Sequence, residues 1–143
     1  MRLPFKRLDP TVPLPSYAHA GDAGLDLRSN ADLIVQPSER AMVPTGLSVA
    51  IPVGHAGLVL PRSGLASRQG LTLANSPGLI DAGYRGEIVV AVVNLDPSGA
   101  VKISRGDRVA QLVIVPFVRI EPGEAEELPP SARGGGGFGS TGV

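Results

Sequence analysis

The groups in this chain that could do chemistry fall in a few short clusters built around glycine. In Pro61-Arg62-Ser63-Gly64-Leu65, a forked cation, a hydroxyl and a glycine follow a run that reads as a buried strand. They lead into Ser63–Gln69, the one segment suited to a helix, of a turn or two. A helix start offers unpaired N–H groups to an anion, a guanidinium adds charge-assisted hydrogen bonds, and glycine lets backbone come close. Phosphate binding is one reading, and a plain N-cap role for Ser63 is the other. No Gly-Lys-Ser/Thr follows, so this is not a P-loop.

The longest cluster, Asn75-Ser-Pro-Gly-Leu-Ile-Asp81-Ala-Gly-Tyr84-Arg-Gly-Glu87, reads as a hairpin that feeds a long strand. Asp81 closes its first strand, where a carboxylate meets solvent at the mouth of a sheet. It is a candidate general base for a water, with backbone capping as the alternative. Tyr84 sits at the tip of this hairpin, in a chain with only 3% aromatic residues, which points to recognition rather than core packing. In Gly21-Asp22-Ala23-Gly24-Leu25-Asp26-Leu27 two carboxylates stand four apart, and in a strand such positions share a face. Gln111 interrupts an otherwise apolar run after Gly106-Asp107-Arg108 and needs partners if buried. The two histidines, His19 and His55, stand outside these clusters, so neither a Ser/His/Asp arrangement nor a zinc site is expected. A metal would be a hard ion such as Mg²⁺, held mainly by phosphate oxygens and water.

The elements that must position these groups are short strands. Asp32–Val35, Leu47–Ile51, Gly57–Leu60, Glu87–Asn94 and Val109–Val115 are rich in β-branched residues and bounded by turn signals such as Gln36-Pro37-Ser38 and Asp96-Pro97-Ser98-Gly99. With 19 glycines and 14 prolines among 143 residues, this pattern predicts an all-β sandwich or jelly-roll-like barrel with one short helix. Glu124–Glu127 tolerates a helix but is closed by prolines on both sides. The length suits one domain. Absence of cysteine removes disulfides and thiolate chemistry and fits a reducing, cytoplasmic setting. A net charge of zero gives no reason to expect nucleic-acid or membrane binding, and no apolar run is long enough for a membrane helix. Among 13 cations only Lys6 and Lys102 are lysine; arginine grips phosphate better, although codon usage would produce the same bias.

The last segment is different in kind. Arg133-Gly-Gly-Gly-Gly-Phe138-Gly-Ser140-Thr141-Gly142 cannot form a packed strand, because glycine loses the most entropy on ordering. It is either a plain flexible tail or a closing lid that brings a cation, a ring and two hydroxyls among backbone N–H groups able to wrap phosphate.

Taken in order, these clusters resemble the five motifs of the trimeric dUTPases, from about Arg2 to Gly142. The resemblance implies a homotrimer of distorted jelly-roll subunits, of β-clip type, with active sites shared among chains. It implies a β-domain over residues 1–128 and a glycine-rich lid over 129–143. The implied reaction is hydrolysis of dUTP to dUMP and pyrophosphate, which keeps dUTP low and supplies dUMP for thymidylate synthesis. Arg62, Ser63 and Gly64 would bind phosphates, with Gln111 at the α-phosphate. Asn75, Leu79, Ile80, Asp81 and Val89 would hold uracil and deoxyribose, and Tyr84 would exclude a 2′-hydroxyl. Arg133, Ser140 and Thr141 would close over the γ-phosphate while Phe138 stacks on the base. Asp81 would activate the water, and Asp26 would reach the water shell of Mg²⁺ on the triphosphate. The deoxycytidine triphosphate deaminases, or a bifunctional relative, share the fold and are one alternative; a non-catalytic dUTP-binding trimer is another.

Overall fold

The computed structural model describes residues 1–137 of the chain. Its strands form four antiparallel sheets that close on one core. The largest has the order β2 (Leu25–Arg28), β11 (Arg108–Pro116), β6 (His55–Leu60), β8 (Gly78–Ile80). A second places β9 (Val89–Asn94) between β4 (Arg40–Pro44) and β7 (Leu71–Leu73). Two-stranded sheets join β1 (Phe5–Arg7) to β5 (Leu47–Val49) and β3 (Leu33–Val35) to β10 (Val101–Ile103).

Alternation explains why these runs are strands. In β9 the even positions Val90, Val92 and Asn94 are buried, while the odd positions are open or half-buried. Leu27, Val35, Val43, Val90, Val92 and Leu112 meet in one aliphatic cluster drawn from several sheets. Each such side chain contributes roughly 1.5–3 kcal/mol on burial. Asn94 is fully buried among them without penalty, because its Nδ2 donates to Val35 O (3.0 Å) and Gly99 O (2.8 Å) and its Oδ1 accepts from Asp96 N (2.9 Å).

The helix α1 spans Ser63–Gln69, as the sequence predicts. Gly70 ends it in the left-handed conformation at φ 66°. A Cβ there would also stand 2.7 Å from the Asp96 nitrogen. All five runs expected as strands overlap one, with ends shifted by no more than two residues. The pieces β1, β4, β7 and β10 were not expected, and Glu124–Glu127 is not helical.

The expected hairpin is corrected. β8 pairs with β6, whereas β9 pairs with β4 and β7, so the two arms lie in different sheets. The cause is a transfer point before β9. Ile88 N donates to Leu47 O at 2.7 Å, and Thr45 Oγ1 donates to Ile88 O at 2.6 Å. Those bonds draw the chain onto the second sheet, and Asp81–Glu87 becomes a connection between sheets.

After Pro116 no strand or helix follows among the described residues, and Val118, Ile120 and Leu128 are exposed. No helix among the described residues is long and apolar enough to cross a membrane.

The N-terminal segment is tied down by Arg105. Its Nη2 pairs with Asp9 Oδ2 at 3.0 Å and also donates to Thr11, its Nε donates to Asn30 Oδ1 at 3.0 Å, and its backbone N–H donates to Asp32 Oδ1 at 2.7 Å. Hydrogen bonds from the Thr11 hydroxyl and N–H, with Arg105 nearby, hold the Asp9 carboxyl below its ordinary value of 3.8. A depressed folded-state value gives stability that is present above the unfolded value and lost as pH falls through the folded one. Asp9→Asn should therefore lower the thermal midpoint at neutral pH, and its difference from native should close as pH falls below 3.8. Melting curves that stay equally separated down to about pH 2 would contradict this.

Candidate functional site

The first concave region is a polar cleft of about 420 Å³, where the ends of β2, β6 and β11 meet α1. Asp26 is its hub. Its side chain is 13% exposed, and its two oxygens face two arginines, Oδ1 at 3.3 Å from Arg62 Nε and Oδ2 at 3.2 Å from Arg108 Nη1. Gln111 stands opposite Asp26 in the β2–β11 ladder, and its Nε2 donates to Pro61 O at 3.0 Å. The polar residue in the apolar run thus finds its partner across the sheet.

Arg108 and Gln111 are three apart, so simple alternation would put them on opposite faces. A register break between Arg108 and Ala110 reverses the alternation, and both line the cleft. Bulges re-aim side chains in this way.

Ser63 is the first helical residue, and the cap position belongs to Arg62, which makes no side-chain capping bond. The capping reading of Ser63 is therefore removed, and Ser63 lines the cleft with Gly64. The Arg68 guanidinium lies over Gly64, where an added Cβ would be 2.7 Å from Nη2.

Asp22 and Asp26 do border the same cleft, but not by strand alternation. Asp22 precedes β2 in a turn in which its Oδ2 accepts the His19 N–H at 2.8 Å. His19 lines this cleft as well, which corrects its expected separation from the clusters.

The second region is a cavity of about 240 Å³ bordered by Asn75, Leu79, Ile80, Tyr84 and Val89, all expected from the sequence, with Met42 and Glu87. β8 is an edge strand, paired with β6 on one side only. Its backbone groups on the other side lack a strand partner, so donors and acceptors are available to a polar ring. Tyr84 is 46% exposed and its hydroxyl donates to Glu87 O at 2.8 Å.

The two cavities share no lining residue. Asp81 follows the end of β8, is exposed, and its carboxylate has no hydrogen-bond or ion-pair partner among the described residues. It borders neither cavity within this one chain. Arg133 is not brought to the cleft; its Nε donates to Gly136 O at 2.8 Å. Phe138, Ser140 and Thr141 lie outside the described residues.

Sequence reasoning missed Arg68, Arg108, His19 and Met42. Arg68 had a readable signal, since helical i, i+4 spacing places it over Gly64. Arg108 had none, because period two assigns it to the wrong face and the bulge leaves no mark in composition. Among the described residues no three His, Cys, Asp or Glu side chains converge to hold a metal.

A model of the dUTPase family matches residues 11–142. The chain belongs to the dUTPase family. The deoxyuridine 5′-triphosphate nucleotidohydrolase of Thermobifida fusca is 56% identical over 142 residues, 99% of this chain and 79% of that protein. That of Streptomyces avermitilis is 58% identical over 138 residues, covering 96% and 79%. Among solved structures, a mutant dUTPase of Staphylococcus bacteriophage 80alpha with dUpNHpp has a TM-score of 0.93 at 32% identity, over 99% of both chains. A mutant dUTPase from phage phi11 of S. aureus, described for the coordination of a structural Mg(II) ion, has a TM-score of 0.82 at 30% identity, over 89% of this chain and 98% of that one. A mostly β chain with one short helix is thus the shared family architecture.

The fit around Gln111 gives a test. A Cβ on Gly24 would stand 3.0 Å from Gln111 Cδ and closer still to Oε1. Gly24→Ala should displace the carboxamide and cut turnover of dUTP roughly tenfold or more. The core does not contain Gly24, so the thermal midpoint should move by only about 2–4 °C. Native turnover in this variant would show that Gln111 need not be held where it stands.

Proposed function

We propose that the chain hydrolyses dUTP to dUMP and pyrophosphate, with the triphosphate in the arginine cleft and the base and sugar beside β8. The observation that carries this is the convergence of Asp26, Arg62, Ser63 and Gln111, from two strands, the junction between β6 and α1, and the helix itself, on one cleft with three guanidinium groups against two carboxylates. Such a cleft favours an anion.

In this reading Arg62, Ser63 and Gly64 bind phosphates and Gln111 meets the α-phosphate, with Arg68 and Arg108 adding charge. Asn75, Leu79, Ile80 and Val89 hold uracil and deoxyribose, the free edge of β8 reads the base, and Tyr84 packs under the sugar. The exposed Asp81 carboxylate orients a water and takes its proton as the water oxygen bonds to the α-phosphorus. The bond to the bridging oxygen breaks and pyrophosphate leaves. Positioning and opposed charge supply the rate.

The cleft's carboxylates are oxygen donors suited to a hard ion, but both Asp26 oxygens are engaged by arginine. Asp26 would therefore meet Mg²⁺ only through its water shell, and the ion would neutralise charge on the triphosphate.

Separate cavities in one chain support a homotrimer of distorted jelly-roll subunits whose active sites are shared. The exposed Val118, Ile120 and Leu128 supply apolar surface for such contacts. Residues 129–143 act as a lid on the 1–128 domain, with Arg133, Ser140 and Thr141 over the γ-phosphate and Phe138 on the base. A segment of about ten residues spans ~30 Å when extended, enough to reach a neighbouring subunit. The proposed setting is the cytoplasm.

Pyrophosphate release measured with Mg²⁺ from dUTP, dCTP, dTTP and UTP tests the assignment. Release from dUTP alone is expected, and Asp81→Asn should bind dUTP while losing about 10²-fold or more in turnover. Ammonia from dCTP would move the chain to the deaminases, and an unchanged Asp81→Asn rate would remove Asp81 as the base.

A further inference from the structure

Beneath the Asp81–Glu87 connection lies a set of bonds that the proposed reaction does not use. Glu87 is half-buried at the wall of the base cavity, and its Oε1 accepts the Gly46 N–H at 2.7 Å. Gly46 is itself a fixed point. It has φ +68°, its carbonyl accepts the Leu8 N–H at 2.8 Å, and an added Cβ would stand 2.8 Å from Val12 Cγ2 and 2.9 Å from Asn30 Nδ2. On either side of it, Thr45 and Leu47 bond the backbone of Ile88. Glu87 is therefore held to a turn that the rest of the domain locks.

Its backbone carbonyl meets Tyr84, which borders the same cavity. The Glu87 carbonyl accepts the Tyr84 hydroxyl at 2.8 Å. The Tyr84 ring is folded back over Gly86, where an added Cβ would be 2.6 Å from Cζ. With the hydroxyl tied to Glu87 and the ring resting on Gly86, the ring's position at the cavity follows the position of Glu87. A half-buried carboxylate that accepts a backbone N–H fixes the end of the connection at one place on the domain.

We infer that Glu87 is a positioning residue which, by fixing Tyr84 across the cavity, sets the preference for a deoxyribose over a ribose nucleotide. The inference rests on the reading of Tyr84 as the group beneath the sugar. The Glu87 carbonyl shares its peptide plane with the Ile88 N–H, which Leu47 O holds at 2.7 Å. Without the second bond, from Gly46, that plane is free to tilt about the first, the ring tilts with it, and space opens for a 2′-hydroxyl. Steric exclusion of one small group depends on sub-ångström placement of the excluding wall.

The test is kcat/KM for dUTP and for UTP in Glu87→Ala, Glu87→Gln and Tyr84→Ala. Glu87→Ala should lower the dUTP-to-UTP ratio by about tenfold, while Glu87→Gln, whose amide oxygen still accepts the Gly46 N–H, should keep it. A purely structural role would lower both values together and leave the ratio unmoved. If Glu87→Ala keeps the native ratio while Tyr84→Ala lowers it, the inference is overturned and the Tyr84 reading stands. If Tyr84→Ala also keeps the ratio, the Tyr84 reading falls and this inference falls with it. Should Glu87→Ala fail to fold, Glu87→Asp, one methylene short of Gly46, takes its place under the same outcomes.

Discussion

The register of β11 between β2 and β6 is the constraint from which the cleft follows. Gln111 faces Asp26 on one neighbour and Leu60 on the other, one residue before the strand gives way to Pro61 and Arg62. The next residue, Leu112, is fully buried. A slip of one position would expose Leu112 and turn Gln111 into the core. Burial of Leu112, worth roughly 1.5–3 kcal/mol, and the cost of a buried unpaired carboxamide therefore act in the same direction. The core selects the register, and the register assembles the cleft.

Charge sharing completes that cleft. One carboxylate, Asp26, holds two guanidinium groups from different elements, so Arg62 and Arg108 are aligned before a ligand arrives. Preorganised donors of this kind need little rearrangement as charge develops on a phosphate. At the other cavity the same principle operates through backbone, with the edge of β8 left unpaired and Tyr84 tied to its own loop. The fold thus gathers cationic side chains in one place and leaves an unpaired strand edge in another.

Much of this was legible in the residues. The strands with β-branched alternation, the helix at Ser63–Gln69 and the lining of one cleft by Asp26, Arg62, Ser63 and Gln111 all follow from local pattern and ordered motifs. What escaped depends on partners distant in sequence. β1, β7 and β10 are three residues long, too short to show a period, and exist because a neighbour pairs with them. The Asn75–Glu87 segment has the composition of a hairpin, yet bonds from Thr45 and Leu47 to Ile88 divert its second arm to another sheet. The bulge that aims Arg108 is likewise a property of pairing rather than of composition.

In the proposed trimer, dUTP is hydrolysed where the base cavity of one subunit meets the phosphate cleft of another. Subunit complementation separates this arrangement from a site held within one chain. Asp81→Asn and Arg62→Ala, each inactive alone, would be unfolded together, refolded into mixed trimers and assayed for pyrophosphate release from dUTP. Sites drawn from different chains should recover up to about a quarter of native activity, the share in which both halves are intact. Mixed trimers that form and remain inactive would place both halves in the same chain and contradict the account.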